Sequence, residues 1–319
     1  MRRPGLCILA LLAAPVSPAA AQSPANADDI VITAQRSGIP VWRVRGSAGT
    51  LVLVGTIEEV AKGTDWKPES LEAALREADQ VMFPADVQYT GGFFAVMGVA
   101  GKARKMEHLP KGDTLANYLS AAQMTRLAAL RDRGLLKPGF ETRRPIFAAY
   151  DLIESAKGER SSGGFLSISR VDWKSDPEAF VRNGVHKYRL RLVPMRKASL
   201  NGTLAQLAST PPAAQVPCLL AAAAAAEAGP AAFHARSQAW VRKRVADVLA
   251  APSEKAFTTC ASVVRSGPSP AEIESSLTSA LRQPLTTIAV LELSSLAAPS
   301  AMLDRLAAAG FEIIGPPWK

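Results

Sequence analysis

Four carboxylates, Glu58, Glu59, Asp86 and Glu292, stand at or just beyond the ends of the short apolar runs 51–54, 81–83 and 287–293. Ligands of open α/β sheets bind at such strand ends. Grouped there, carboxylates can hold Mn or Mg, or hold one another's protonation apart so that one works as acid and another as base. The alternative for Glu58 and Glu59 is a solvated turn, and for Glu292 a strand-end charge paired with an Arg or Lys.

The histidines add nothing to this group. His108 lies in a polar stretch before Pro110, His186 ends a helical pattern and His234 sits within another, and no two are spaced i, i+3 or i, i+4. Surface or capping roles are expected for all three. No G-x-S-x-G elbow, phosphate loop or dinucleotide fingerprint occurs.

The elements that must position the carboxylates follow from periodicity. The runs 41–44 and 51–54, separated by the turn-like Gly46-Ser47-Ala48-Gly49, predict a hairpin whose second strand is buried on both faces. Pro68 and Glu69 open a helix carrying Leu71, Ala74, Leu75 and Ala78, and a strand at 81–83 is cut short by Pro84. Helices are expected at 115–133, 145–156 and 177–185, with a half-exposed strand at 188–193. An alanine-rich helix over 218–228 stops at Gly229-Pro230, and a longer one runs over 231–249. A helix at 270–281, a buried strand at 287–293, a helix at 299–309 and a strand at 311–314 complete the chain. Ile30 to Thr33 reads as an edge strand. Together these predict one α/β domain with a central mixed sheet and a largely helical middle, its two similar halves facing one cleft.

The N-terminus reads as a secretory leader. Arg2 and Arg3 precede the apolar run 6–16, too short for a permanent membrane helix, and Pro18 and Ala19-Ala20-Ala21 supply the small residues of a cleavage site after Ala21. Residues 22–38 then form a flexible lead-in, and 39–319 the domain. The expected product is exported, to the periplasm or beyond, with no transmembrane segment after cleavage. The 319 residues are 48% apolar and carry a net charge of +9, enough to bury a large core. Export keeps a basic protein away from nucleic acid, so an envelope protein, a peptide or a glycan is the expected partner.

Export also decides how Cys218 and Cys260 are read, because an oxidising compartment favours their pairing. The alternative is two buried thiols. A binding module is a further reading. The apolar, glycine-bearing segment 91–99 would serve as a lid or contact surface, and the basic clusters at 187–197 and 242–244 would meet anionic glycan or lipid.

The residues Val41-Trp42-Arg43-Val44, Leu51-Val52-Leu53-Val54-Gly55-Thr56-Ile57 and Gly63-Thr64-Asp65-Trp66 resemble the opening of the TraB/GumN proteins, relatives of the Tiki metalloproteases. Ile288-Ala289-Val290, followed by Leu296, Pro299, Leu303, Leu306 and Gly310-Phe311, resembles the family's closing strand, turn, helix and strand. The resemblance implies a divalent-metal site built from two Gly-x-x-His motifs and an acidic residue at a strand end. Here the first motif reads Gly55-Thr56-Ile57-Glu58 and the second Glu292-Leu293-Ser294-Ser295, and Pro84 occupies the acidic position. Serine and proline cannot replace metal ligands, and Glu58 alone offers too few. Glu58, Pro84 and Ser295 are therefore vestigial positions in this reading. The expectation is a non-catalytic scaffold with no bound cofactor; the alternatives are a Mn- or Mg-dependent hydrolase on Glu58, Glu59, Asp86 and Glu292, and the binding module for anionic glycan or lipid.

Overall fold

The computed structural model describes residues 27–88, 106–158, 177–264 and 267–319. The leader and the segment 91–99 lie outside the described residues.

The hairpin forms as its pattern requires, β1 (Val41–Arg45) antiparallel to β2 (Thr50–Thr56). Helix α2 (Pro68–Glu77) follows, then β3 (Gln80–Gln88). Next come α3 (Ala121–Asp132), α4 (Pro145–Ala156), α5 (Pro177–Tyr188) and β4 (Arg191–Ser199). Helices α6 (Leu200–Ser209), α7 (Pro212–Val241), α8 (Val245–Ala250), α9 (Pro252–Val264) and α10 (Pro270–Leu281) lead to β5 (Thr286–Glu292). Short helices α11 (Leu293–Ala297) and α12 (Met302–Ala308) end at β6 (Glu312–Ile314).

One six-stranded sheet has the order β4-β3-β5-β2-β1-β6. β2 and β5 lie side by side and parallel, Gly55 level with Leu291 and Thr56 with Glu292, so both strands release their chains at the same edge. Each is apolar almost throughout because each is covered on both faces. The two halves interlock: from β2 the chain crosses β5 to reach β3, and from β5 it crosses β2 and β1 to reach β6.

Buried side chains form two clusters, one around the sheet and one within the helical middle. α7 belongs to both, burying Phe233 in the second and Trp240 in the first. It packs against α4 and α9, and Cys218 of α7 is bridged to Cys260 of α9. By length and composition α7 is apolar enough to cross a membrane, but one side of it carries the buried residues Gln215, Arg236 and Ser237 inside the protein.

Several local expectations fail for identifiable reasons. Residues 27–35 form helix α1 (Ala27–Gln35) rather than an edge strand after a flexible lead-in. Ile30, Val31 and Ala34 share one buried face, Asp28 and Asp29 occupy the favourable first turn, and Asp28 pairs with Arg43 and Arg45 of β1. β3 is not stopped by Pro84. Its pairing with β5 ends at Met82, and beyond that point only β4 remains hydrogen-bonded to it, so the missing N–H falls where one side of the strand is free.

The alanine-rich helix starts six residues earlier than expected, at Pro212, while its expected break at Gly229 (φ 72°) is present, with helix resuming beyond. The next expected helix is split at 242–244, where Lys243 adopts φ 58° and Arg244 N–H closes onto the Ala239 carbonyl. The single helix expected at 115–133 is a 3-10 turn at Leu115–Asn117 followed by α3, capped reciprocally by Ser120 and Gln123. The expected helix at 299–309 is shorter, α12 over Met302–Ala308, and an additional short helix, α11, precedes it.

Candidate functional site

The chain leaving β2 is gripped by α7. Trp240 Nε1 donates to the Gly55 carbonyl at 2.8 Å, Ser237 Oγ accepts from the Ala61 N–H at 2.9 Å, and Arg236 Nη2 donates to the carbonyls of both Glu58 and Glu59. Glu59 is held at φ 52°, left-handed for a residue with a side chain, and its carboxylate meets Lys157 at 2.5 Å. Such backbone persists only where the surroundings over-determine it.

Gly55 serves packing rather than chemistry. A methyl group there would lie 2.8 Å from Leu293 Cδ1 and 2.9 Å from Trp42 Cζ3. Gly55→Ala is expected to cost about 2 kcal/mol of stability, read from the denaturant midpoint, because both neighbours sit in a filled core.

At the edge shared by β2, β3 and β5 lie two adjoining chambers. The first, about 470 Å³, is lined by Glu58, Glu59, Tyr150, Glu178, Arg182 and Glu292, with Phe257, Cys260 and Val264 of α9 as its apolar wall. The second, about 650 Å³, holds Pro84, Ser262, Ser294, Ser295 and Arg196. Glu178, Arg182, Ala261 and Glu292 line both. Glu58, Pro84 and Ser295, far apart in the chain, thus line one continuous cleft.

Glu292 stands at the junction. Asp86 lies on β3 level with Lys197 of β4. Among the described residues no three His, Cys, Asp or Glu side chains converge as a metal site would require. His108, His186 and His234 are all exposed and none lines the cleft.

Electrostatics mark the first chamber. Glu58 is exposed by surface area and yet deep in the body of the protein, because what it exposes is chamber lining. Burial pushes its carboxyl up, with Glu292 and Glu59 adding to the rise and Arg236 opposing it, to about 8. The neighbouring carboxylates Glu292, Glu59 and Glu254 all act in the upward direction. Burial also raises Glu292 and takes the Tyr150 hydroxyl to about 12, with Glu58 contributing to the latter. Beneath them Arg236 Nη1 meets Glu254 Oε2 at 3.2 Å; burial pushes the Glu254 carboxyl up against the pull of that arginine.

The raised Glu58 has a consequence for stability. An unfolded carboxyl titrates near 4.5 and the folded one near 8, so between these values the folded state holds a proton that the unfolded state has lost. Stability therefore falls as pH rises through this window and levels off above it. Glu58→Gln removes the decline. After discounting for water in the chamber, the variant should melt about 2 °C above the parent near pH 9 and level with it near pH 4. A parent that melts above the variant near pH 9 would show Glu58 stabilised as a carboxylate instead.

Arg236, Tyr150, Glu178, Arg182 and Glu254 were not singled out by sequence reasoning. For Arg236 the signal exists: Phe233, Arg236, Ser237 and Trp240 recur at helical spacing, so an arginine shares the apolar face of an alanine-rich helix. Glu178 and Arg182 also carry a signal, the i, i+4 spacing of an ion pair on one helix, but nothing local places that pair in the cleft.

Comparison with curated proteins and with solved structures finds no match to this chain. Comparison with protein families does: the model of the TraB/PrgY/gumN family matches residues 40–314. The match covers both strands that release their chains into the cleft and the helical middle between them, and on that basis the chain belongs to the TraB/PrgY/gumN family.

Proposed function

We propose that this protein is an exported, non-catalytic member of its family, whose cleft binds a ligand without cleaving it. The observation that carries the reading is the placement of Pro84 and Ser295 in the cleft, on β3 and just after β5. Proline offers a metal no donor atom, and a neutral serine hydroxyl is a poor ligand for a metal that must activate water. Glu58 remains as a lone carboxylate of the three vestigial positions, and a hard cation needs several oxygens to offset its dehydration. Export is supported by the leader composition and by a bridge between Cys218 and Cys260, of the kind that persists in oxidising compartments.

A hydrolase using Mn or Mg on Glu58, Glu59, Asp86 and Glu292 has weaker support. Glu59 is engaged by Lys157, and among the described residues no three His, Cys, Asp or Glu side chains are placed to hold a metal. For docking on anionic glycan or lipid, Lys187 in the basic cluster 187–197 is already paired with Glu72 at 2.9 Å, and Arg244 with Asp247 at 3.1 Å.

Metal analysis of the purified protein tests the reading. The expected result is no stoichiometric divalent metal, and a melting temperature unmoved by chelator. Stoichiometric Mn or Mg whose loss lowers the melting temperature, or binding abolished by Glu58→Ala, would overturn it.

A further inference from the structure

Four carboxylates line the first chamber, and the cations around it do not serve them equally. Lys157 is committed to Glu59 and Glu154, both at 2.5 Å. Arg182 is committed to Glu178 at 2.7 Å and to the Ala85 carbonyl at 2.5 Å. Arg236 spends its guanidinium on Glu254 and on the carbonyls of Glu58 and Glu59. Among the described residues, Glu58 therefore makes neither an ion pair nor a side-chain hydrogen bond, although it is set deep in the protein and faces the chamber. Among the described residues Glu292 makes no ion pair either, and its carboxylate has only the Ser294 hydroxyl, at 3.5 Å.

Beside the charged groups and Thr56, the wall is made of apolar and aromatic side chains, among them Ile57, Tyr150, Ile153, Phe257 and Val264. A chamber whose lining carries two carboxyl groups without an ion-pair partner beside hydrocarbon matches a charged head on an aliphatic stem.

We propose that this chamber binds a positively charged nitrogen, an alkylammonium or guanidinium head carried on an aliphatic stem, which pairs with Glu58 and Glu292. The proposal rests on the non-catalytic reading above and names the class of ligand for that cleft. A divalent cation is the poorer match, because among the described residues no three His, Cys, Asp or Glu side chains stand close enough together to hold a metal. A neutral ligand would give these two carboxyls no charged partner and would leave burial holding Glu58 in its protonated form. Two sources carry the same chemistry, a free polyamine and a basic side chain of a peptide.

The groups facing Glu58 set how binding varies with pH. They are Glu292 at the end of β5, Glu59 after β2, Arg236 on α7, Glu254 on α9 and Tyr150 on α4. Alkylammonium and guanidinium heads stay charged up to about pH 10, so the carboxyls control the response. A bound cation favours their ionised form, so binding tightens as pH rises and releases a proton below about pH 8.

Titration calorimetry of the full chain tests the idea, using spermidine, N-acetyl-lysine amide, N-acetyl-arginine amide, magnesium and a neutral alcohol of matching stem. The expected result is one-to-one binding of at least one amine or guanidine probe. Spermidine binding alone would mark a free polyamine, and binding of the capped amino acids would mark a peptide side chain. Glu58→Gln and Glu292→Gln should each weaken that binding about tenfold or more. Circular dichroism and melting curves of both variants confirm that they are folded.

No response to any cationic probe at concentrations up to about 10 mM, or binding that neither variant weakens, would overturn the proposal. Stoichiometric magnesium at Glu58 would overturn the non-catalytic reading with it. A metal-free protein that ignores every amine and guanidine would overturn this proposal alone.

Discussion

Arg236→Ala should lower the stability of the protein by about 4 kcal/mol, enough to unfold a marginally stable domain at moderate temperature. The side chain of Arg236 is 0% exposed and that of its partner Glu254 6%. Phe233 and Phe257 lie beside the guanidinium, their ring centroids at 4.9 and 5.0 Å.

Formation of such a pair gains little net free energy, because desolvating two charges offsets their attraction. Removal of one member is a different matter. Glu254 loses its only ion-pair partner among the described residues and must either stay charged in the interior or take up a proton, and the carbonyls of Glu58 and Glu59 lose their donor. The left-handed backbone at Glu59 then loses the contact that holds it.

The asymmetry provides its own check. Arg236→Met combined with Glu254→Leu removes both charges, and should recover more than half of the loss measured for Arg236→Ala. A single-substitution loss below about 1 kcal/mol would mean that Glu254 takes up a proton at little cost when its partner is gone.

Loss of the Cys218–Cys260 bridge should be about as damaging. The cysteines are 42 residues apart, and closing a loop of that length removes denatured-state entropy worth about 4 kcal/mol in the chain-entropy model. Cys218→Ala with Cys260→Ala should lower the melting temperature by about 10 °C, and reductant should do the same to the parent while leaving the double variant unmoved. An identical unfolding midpoint with and without reductant would refute the expectation.

The consequence reaches the cleft, because Cys260 lies on α9 beside Phe257, Ala261 and Val264 in the chamber wall. Cys218 ties that wall to α7, whose far end carries Arg236. Ligand affinity should therefore fall with the bridge even at temperatures where the double variant remains folded.

Much of the fold was written locally. The β1–β2 hairpin, the continuous apolar runs of β2 and β5, and helices α2, α4 and α10 depend on residues within a few positions of one another, where periodicity and turn chemistry act directly. The wrong expectations arose where a distant partner overrode local preference. Ile30-Val31-Ile32-Thr33 has strand propensity, yet burial of Ile30, Val31 and Ala34 makes it a helix. Pro84 looks like a stop, yet β3 continues because its free side coincides with the point where β5 leaves.

Sequence alone determined the family likeness, the pairing of Cys218 with Cys260 as the favoured reading, and the loss of imidazole at two motif positions, because these are statements about which residues are present. That Glu58, Pro84 and Ser295 line one cleft, with Glu292 at its junction, was decided by the register that sets Thr56 level with Glu292. The pairing of Lys157, Arg182 and Arg236 with other partners, which leaves Glu58 and Glu292 unpaired, was decided there too. Charge balance in a cavity depends on which side chains meet, and side chains more than 200 residues apart meet only through the packing of the whole sheet.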